Sequence, residues 1–273
     1  MSAEKSEKEL AFLQELYVAT DWGERFAALM DEHVKLPKKG RALYVAAGTG
    51  GHAIAMQERA GDDLSFVCID ESEECLELAR VKVMVIRADP EFRRAQLEEL
   101  GFEDDQFNLV VGDASLVAPE RLPEIIAEMV RVALPGGLVA LSVATASSFA
   151  EFYSIYWEAL KVAGLEEFSS EVETLIMERP TVAFVEEVAA RAGLEKITSW
   201  TSIEEFDYDS GEEFLNAPLI ADFLLKSWLE SLPDAEIRQR VVQELARIID
   251  DERQDMDFAL TVKASLVLGH KIR

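Results

Sequence analysis

A doubly wound α/β sheet is the fold class this sequence predicts, and three observations predict it. Residues 41 to 55, RALYVAAGTGGHAIA, run from an apolar strand (Leu43 to Ala47) through Gly48-Thr49-Gly50-Gly51 into small helix formers. Short apolar strands then alternate with amphipathic helices over residues 41 to 144, the order that sets parallel strands side by side with crossover helices on both faces. The strands end in glycine or acidic residues, at Gly48, Asp70 and Asp113, and in such sheets ligands sit beyond the carboxyl ends of the strands.

The 273 residues, 49% of them hydrophobic, suit one large α/β domain with an insertion. Within a single domain over 1–273, residues 1–40 read as N-terminal helices and 41–144 as the ligand-binding core. Residues 145–193 read as a helical segment, and 194–273 as the last two strands with a helical insertion at 210–255. The 27 Lys and Arg against 53 Asp and Glu give a net charge of −26, which repels phosphate backbones and anionic lipid. Nucleic acid and membrane surfaces are therefore not expected as partners. The densest basic cluster, Arg80, Lys82, Arg87, Arg93 and Arg94, is flanked by glutamates 73, 74, 77, 91, 98 and 99 and reads as a salt-bridged, solvated face. Cys68, Cys75 and the three histidines make no metal-ligand pattern, so no metal is expected. The start MSAEKSEKEL lacks the features of a signal peptide, and no apolar run nears the ~20 residues that cross a bilayer; a cytoplasmic protein with reduced thiols is expected.

Two amphipathic helices open the chain. Leu10, Leu13, Leu16 and Tyr17 keep helical spacing, and Phe26, Leu29 and Met30 repeat it after a break at Asp21-Trp22-Gly23. Pro37 and Lys38-Lys39-Gly40 lead into the first strand. The glycines that follow let a ligand approach the backbone, and the next helix, His52 to Arg59 with Gly61 as its stop, offers unpaired N–H groups and a positive dipole end. Leu64 to Ile69 is the second strand, ending in Asp70-Glu71-Ser72. A carboxylate there, about 20 residues past a glycine turn, is placed for the ribose hydroxyls of a nucleotide-like ligand, while Ser72 caps the following helix. Glu73 to about Arg87 reads as helix despite its β-branched residues, with Asp89-Pro90 as the break. Phe92 to Ala95 is the third strand, Gln96 opens a polar loop through Glu103-Asp104-Asp105, and Phe107 to Val111 is the fourth, ending at Gly112-Asp113. A helix with Leu122, Ile125, Ile126, Met129 and Val130 on one face stops at Leu134-Pro135-Gly136-Gly137, and Leu138 to Val143 is the fifth strand.

The segments LYVAAGTGGHA (43 to 53), FVCIDESEECLELAR (66 to 80), FRRAQLEELGFEDDQFNLVVGDASL (92 to 116) and EMVRVALPGGLVALSV (128 to 143) resemble, in order and spacing, a class I S-adenosylmethionine-dependent methyltransferase of the group that acts on small molecules. The resemblance covers most of residues 41 to 144 and implies a Rossmann-like seven-stranded sheet whose final strand inserts between the fifth and the sixth. It also implies S-adenosylmethionine as cofactor, with Gly48 and Gly50 against its amino acid part, Asp70 at the ribose, and Ala46, Thr49 and Glu71 among the further cofactor-binding residues. Gln96 would meet the adenine amino group, Leu97 would pack on the ring, and Asp113 would stand at the boundary with the substrate, a candidate to assist deprotonation. The chain departs from the family pattern at Tyr44 and Ala46, which stand where an acid and the first glycine of the turn are usual, and at Gln96, which replaces an acid.

Residues 146 to 192 read as helices with an aromatic face of Phe149, Phe152, Tyr153, Tyr156 and Leu160, and Pro180-Thr181 begins a helix ending at Gly193. Leu194 to Tyr208 and Asp257 to Gly269 are the last two strands, and apolar helices lie between them. As a lid over the sheet with the N-terminal pair, these helices would make Tyr17, Trp22, Tyr153, Trp157, Phe214 and Trp228 candidates to line a pocket, and the same layer permits a homodimer. The expected function is methyl transfer to an unidentified small molecule, chiefly by proximity. The departures at Tyr44, Ala46 and Gln96 motivate a second reading, a protein that keeps the fold without turnover and binds a nucleoside-like ligand or a protein partner. A nicotinamide-dependent oxidoreductase is a third, disfavoured because no Tyr/Lys or His constellation is evident at the strand ends.

Overall fold

The computed structural model describes residues 5–85, 90–252 and 258–273. Its first half comprises α1 (Glu7–Leu13), a π-helical segment Gln14–Gly23, α2 (Glu24–His33), β1 (Gly40–Val45), α3 (Gly51–Ala60), β2 (Leu64–Asp70), α4 (Glu73–Val83), β3 (Glu91–Arg94), β4 (Phe107–Asp113), α5 (Leu122–Val132) and β5 (Ala133–Ala144). There follow α6 (Ala150–Val162), α7 (Ser169–Glu178), α8 (Val182–Arg191), β6 (Leu194–Tyr208), α9 (Gly211–Asn216), a second π-helical segment Leu219–Leu224, α10 (Leu225–Trp228), α11 (Ala235–Glu252) and β7 (Phe258–Lys271). The seven strands form one sheet in the order β3-β2-β1-β4-β5-β7-β6, so the final strand enters between the fifth and the sixth. The pairings from β3 through β5 are all parallel.

The chain divides into two compact units. The first comprises Met1–Val143, Thr181–Thr201 and Ala264–Arg273 and shows why the sequence makes a two-faced sheet. Along β1, Leu43 and Val45 point to one face and Ala42 and Tyr44 to the other; β2 divides Val67 and Ile69 from Phe66 and Cys68 in the same way. One face packs against α5 and α8 through Ile125, Ile126, Met129, Val130, Val185 and Val188, the other against α2, α3 and α4 through Met30, Ile54, Met56, Leu76 and Ala79. Central parallel strands are thus apolar on both sides, and each large side chain fully buried there contributes ~1.5–3 kcal/mol.

Three local expectations are corrected. Residues 21–23 are no break: Glu7 to His33 is one helical run whose middle, Gln14–Gly23, is π-helical, and Gly23 is itself right-handed helical (φ −60°, ψ −42°). Helix α4 ends at Val83, short of the expected Arg87; Arg87 and Asp89 lie outside the described residues. Strand β5 begins at Ala133, ahead of the Pro-Gly-Gly turn, and a register shift opposite Phe107 and Leu109 absorbs the turn within the strand. Gly137 allows this, because a Cβ there would stand 2.8 Å from the Leu134 carbonyl oxygen and 3.1 Å from that of Phe107.

The second unit, Ala144–Pro180 with Ser202–Lys263, has its own aromatic core. Phe149, Phe152, Tyr153, Tyr156, Phe214 and Trp228 are buried there, with the Phe152 and Trp228 rings stacked at 4.0 Å and the Arg179 guanidinium 4.9 Å from the Phe149 ring centre. Gly211 opens α9 where its bare Cα packs directly on the backbone of Ala246 in α11. Among the described residues no helix is long and apolar enough to cross a membrane, and no group of three or more metal-ligating side chains occurs.

Candidate functional site

Beyond the carboxyl ends of β1, β2 and β4, and wholly within the first unit, lies a cavity of about 560 Å³, inside the ~300–1,000 Å³ range of small-molecule sites. Its floor is the turn between β1 and α3. Gly48 takes a left-handed conformation (φ +53°), and a Cβ on it would stand 2.8 Å from Nε2 of Gln14, so the bare backbone is what keeps this side of the cavity open. Helix α3 has no side-chain cap, which leaves N–H groups of its first turn available to a ligand. Ala46 is also left-handed, with φ +55°, a conformation that costs an L-residue roughly 1–2 kcal/mol.

Asp70, the last residue of β2, holds the turn in place. Its Oδ2 accepts from the Gly48 N–H at 2.7 Å and its Oδ1 from the Ser72 N–H at 2.9 Å, while the Ser72 Oγ caps α4 by accepting from the Cys75 N–H. A carboxylate has about four acceptor sites, so Asp70 keeps capacity for a ligand hydroxyl beside these backbone bonds. Burial pushes the Asp70 acid above its ordinary value, and the hydrogen bonds from Ser72 and Gly48 offset this only in part. Beside it, Glu71 receives both terminal nitrogens of Arg121 at 2.7 and 3.1 Å, and the same guanidinium holds Glu98. That ion cluster fixes the end of β2 against the loop before β4 and holds the Arg121 guanidinium above its usual pKa, Glu98 first and then Glu71.

The opposite side is built from side chains. The Tyr44 Oη lies 2.9 Å from His52 Nδ1, His52 Nε2 lies 2.7 Å from Asp31 Oδ1, and Arg59 donates to that same carboxylate oxygen. Asp113 ends β4 with its Oδ1 accepting from the Ser115 N–H at 3.0 Å. Burial raises the Asp113 acid, against the opposing pull of the Ser115 hydroxyl and N–H. Above both sides the Gln14–Gly23 segment forms a roof, tied down at three points. The indole of Trp22 donates to Ser115 Oγ at 2.8 Å, Lys82 bridges to Glu15 at 2.7 Å, and the Cys75 thiol donates to Gln14 Oε1 at 3.2 Å. Burial pushes the Cys75 thiol up to about 11, so it is a neutral donor.

Of the residues singled out in the sequence, Ala46, Gly48, Thr49, Asp70, Glu71, Leu97 and Asp113 all line this one cavity. Two lie elsewhere. The bare Cα of Gly50 faces Ala79 and Phe92, where a Cβ would meet the Ala79 methyl at 2.8 Å, so it serves the packing of α3 on α4. Gln96 lines a separate open polar groove with Glu71, Arg94, Glu98, Glu99 and Arg121. Among the six aromatic candidates Trp22 lines the cavity and Tyr17 is exposed; Tyr153, Phe214 and Trp228 are core of the second unit, and Trp157 is exposed. Arg80, Lys82 and Arg93 of the basic cluster pair with Glu73, Glu15 and Glu91. Sequence reasoning missed Asp31, His52, Ser115 and Arg121. His52 carried a signal, lying in the first turn of the helix that follows the cradle and eight residues after Tyr44; Asp31 carried none.

A family model described as a methyltransferase domain matches residues 42–137. The demethylmenaquinone methyltransferase of Shouchella clausii is 27% identical over 168 residues, 58% of this chain and 71% of that protein. The protein of the same name from Bacillus cereus is 32% identical over 123 residues, 43% of this chain and about half, 52%, of its own length. Among solved structures, the YcgJ protein from Bacillus subtilis superposes with a TM-score of 0.60 at 16% identity, covering 92% of this chain and 99% of that one. A Haemonchus contortus phosphoethanolamine N-methyltransferase 2 in complex with S-adenosyl-L-methionine gives 0.56 at 15% identity, covering 100% of this chain and 59% of that one. At such identities the structures speak for the fold, and they agree with the strand order and with the family model. The glycine cradle and the strand-end aspartate both fall inside the stretch, residues 42–137, that matches the methyltransferase-domain model, and together these findings support a class I S-adenosylmethionine-dependent methyltransferase family.

Proposed function

We propose that this protein transfers a methyl group from S-adenosylmethionine to a small organic molecule, both held in the cavity above β1, β2 and β4. One observation carries the reading: a single cavity joins a cradle suited to an adenosyl amino acid with a separate wall of polar side chains, Tyr44, His52 and Asp113. Gly48 and Thr49 would take the amino acid part, Asp70 the ribose hydroxyls, and Leu97, 3% exposed, an apolar ring face. When bound, the cofactor supplies an electrophilic methyl on a sulfonium, which needs no further activation.

The protein's share is therefore alignment and exclusion of water. The roof residues Val18 and Trp22 are nearly water-free, and Trp22, through Ser115, is linked to Asp113. Asp113 lines the cavity close enough to Tyr44 and His52 for their charges to couple, at the place where an acceptor would lie. The names of the curated relatives support an organic acceptor, and demethylmenaquinone belongs among the candidates to be tried.

Isothermal titration with S-adenosylmethionine and S-adenosylhomocysteine tests the reading, and no binding by either at millimolar concentration would sink it. Incorporation of labelled methyl into a metabolite extract, lost on Asp70→Ala, separates turnover from a fold that only binds.

A further inference from the structure

The row Tyr44, His52 and Asp31 comes from three elements, β1, α3 and α2, and all three residues line the cavity. Its protons follow from its partners. Burial favours a protonated Asp31, but the hydrogen bonds from Arg59 and His52 outweigh it and lower the acid's pKa, so Asp31 is a carboxylate and can only accept. His52 Nε2, at 2.7 Å, therefore carries the hydrogen; Nδ1 is bare and accepts from the Tyr44 hydroxyl. That assignment leaves the lone pairs of Tyr44 Oη for a group inside the cavity. Tyr44 alone is no base, since burial and then the nearby Asp113 push its ionisation well above the ordinary range. With His52 behind it, the phenol never has to ionise.

We propose that Tyr44, backed by His52 and Asp31, accepts the proton of the atom that is methylated, and that the acceptor is a protic nitrogen or oxygen nucleophile entering uncharged or as a cation. The proposal rests on the methyltransferase reading above. In the step, the acceptor's N–H or O–H proton passes to Tyr44 Oη as the tyrosine's own proton passes to His52 Nδ1. The electron pair of the broken N–H or O–H bond stays on the acceptor atom for its bond to the methyl carbon. Tyr44 ends neutral, and His52 ends as an imidazolium facing the Asp31 carboxylate, from which the proton returns to water; the ring is 14% exposed. Tyr44 is the catalytic residue; His52 and Asp31 act through it as positioning residues.

The charge of the walls sets the class. Glu15, Glu24, Asp31, Asp70, Glu71 and Asp113 line the cavity; Glu15, Asp31 and Glu71 are ion-paired with Lys82, Arg59 and Arg121, so the negative field comes chiefly from Glu24, Asp70 and Asp113. Such a field attracts an ammonium, tolerates a phenol, and repels a carboxylate or a phosphate ester.

The test uses the full chain, labelled S-adenosylmethionine, and a panel of small phenols, catechols and amines beside carboxylic acids and phosphate monoesters. Turnover should be confined to the phenols, catechols or amines. Tyr44→Phe, which keeps the ring, should lower kcat by ~100-fold or more with KM little changed, and leave the Kd for S-adenosylhomocysteine within about threefold. Histidine ¹⁵N spectra of the S-adenosylhomocysteine complex, with the His52 signals assigned by His52→Gln, should show the Nε2–H tautomer and a shift at Nδ1 on Tyr44→Phe. A kcat in Tyr44→Phe within threefold of the parent, the Nδ1–H tautomer at His52, turnover of acids or phosphates alone, or cofactor binding with no panel member methylated would each overturn the proposal. Loss of binding of both cofactor forms would instead overturn the methyltransferase reading itself, a result the binding measurement tells apart from the others.

Discussion

The two sides of the cavity are built by different means. On the Asp70 side the groups are strand ends and backbone: a carboxylate closing β2 accepts the N–H of Gly48, 22 positions before it, and parallel pairing of β1 with β2 sets their separation. On the Tyr44 side the groups are side chains from a strand and two helices, held in a row by hydrogen bonds to one another and to Arg59. A site made of backbone inherits its geometry from the fold. A row of side chains depends on every member, and this is the side on which substrate choice can vary while the fold stays the same.

That contrast can be broken, and the largest break is expected at Asp70. Asp70→Ala removes a charged acceptor from both the turn and the ligand, and should weaken S-adenosylhomocysteine binding by about 100-fold, the scale of one or two charge-assisted hydrogen bonds. Titration calorimetry reads it, and affinity within threefold of the parent would mean that the backbone side does not hold the cofactor.

On the other side, Asp113 gives a pH-dependent effect. Its acid is raised by burial more than the Ser115 bonds lower it, so the native state holds the proton more tightly than the unfolded chain. Stability therefore falls as pH rises from the ordinary carboxylate range through the raised value, and stays lower above it. Asp113→Asn should melt above the parent at neutral pH, with the difference closing as pH drops; a gap that is the same at every pH would contradict this.

Ala46→Gly comes next. Releasing a left-handed alanine should stabilise the protein by about 1 kcal/mol, a rise of ~2–4 °C in melting temperature. An unchanged or lower melting point would mean that the turn is not strained there. The smallest effect is expected at Gln96, which lies in the separate groove. Gln96→Ala should change S-adenosylhomocysteine affinity by less than about threefold, and a tenfold loss would bring that loop back to the cofactor.

The same contrast explains what could be read from the sequence. The order of strands and helices, the cradle at Gly48, the aspartate ending β2 and the Ser72 cap are properties of consecutive residues, and period and turn chemistry report them directly. Tyr44 looked only like a departure from a pattern, because the partner that gives it a role is in the first turn of α3, and that partner's own partner sits on a helix before the sheet. The break expected at Asp21-Trp22-Gly23 failed for a related reason. Glycine is a poor helix former in isolation, but here Trp22 is buried and hydrogen-bonded to Ser115, 93 positions away, and that anchoring overrides local propensity. Gln96 and Gly50 show the reverse, since matching a motif position did not put either against the cavity.

The π-helical roof has a thermodynamic consequence. Residues 14–23 widen a helical run just where it covers the cradle, and widened turns of this kind recur at functional sites. A ligand lodged between floor and roof touches both, so ligand occupancy and attachment of the roof are linked equilibria. At a concentration 100 times its Kd, a ligand adds about 2.7 kcal/mol to the state it binds. Much of that stabilisation would fall on a segment otherwise fastened by Trp22, Glu15 and Gln14, and the first hydrogens to gain protection from exchange on cofactor addition would be those of a helix that lies before the sheet begins.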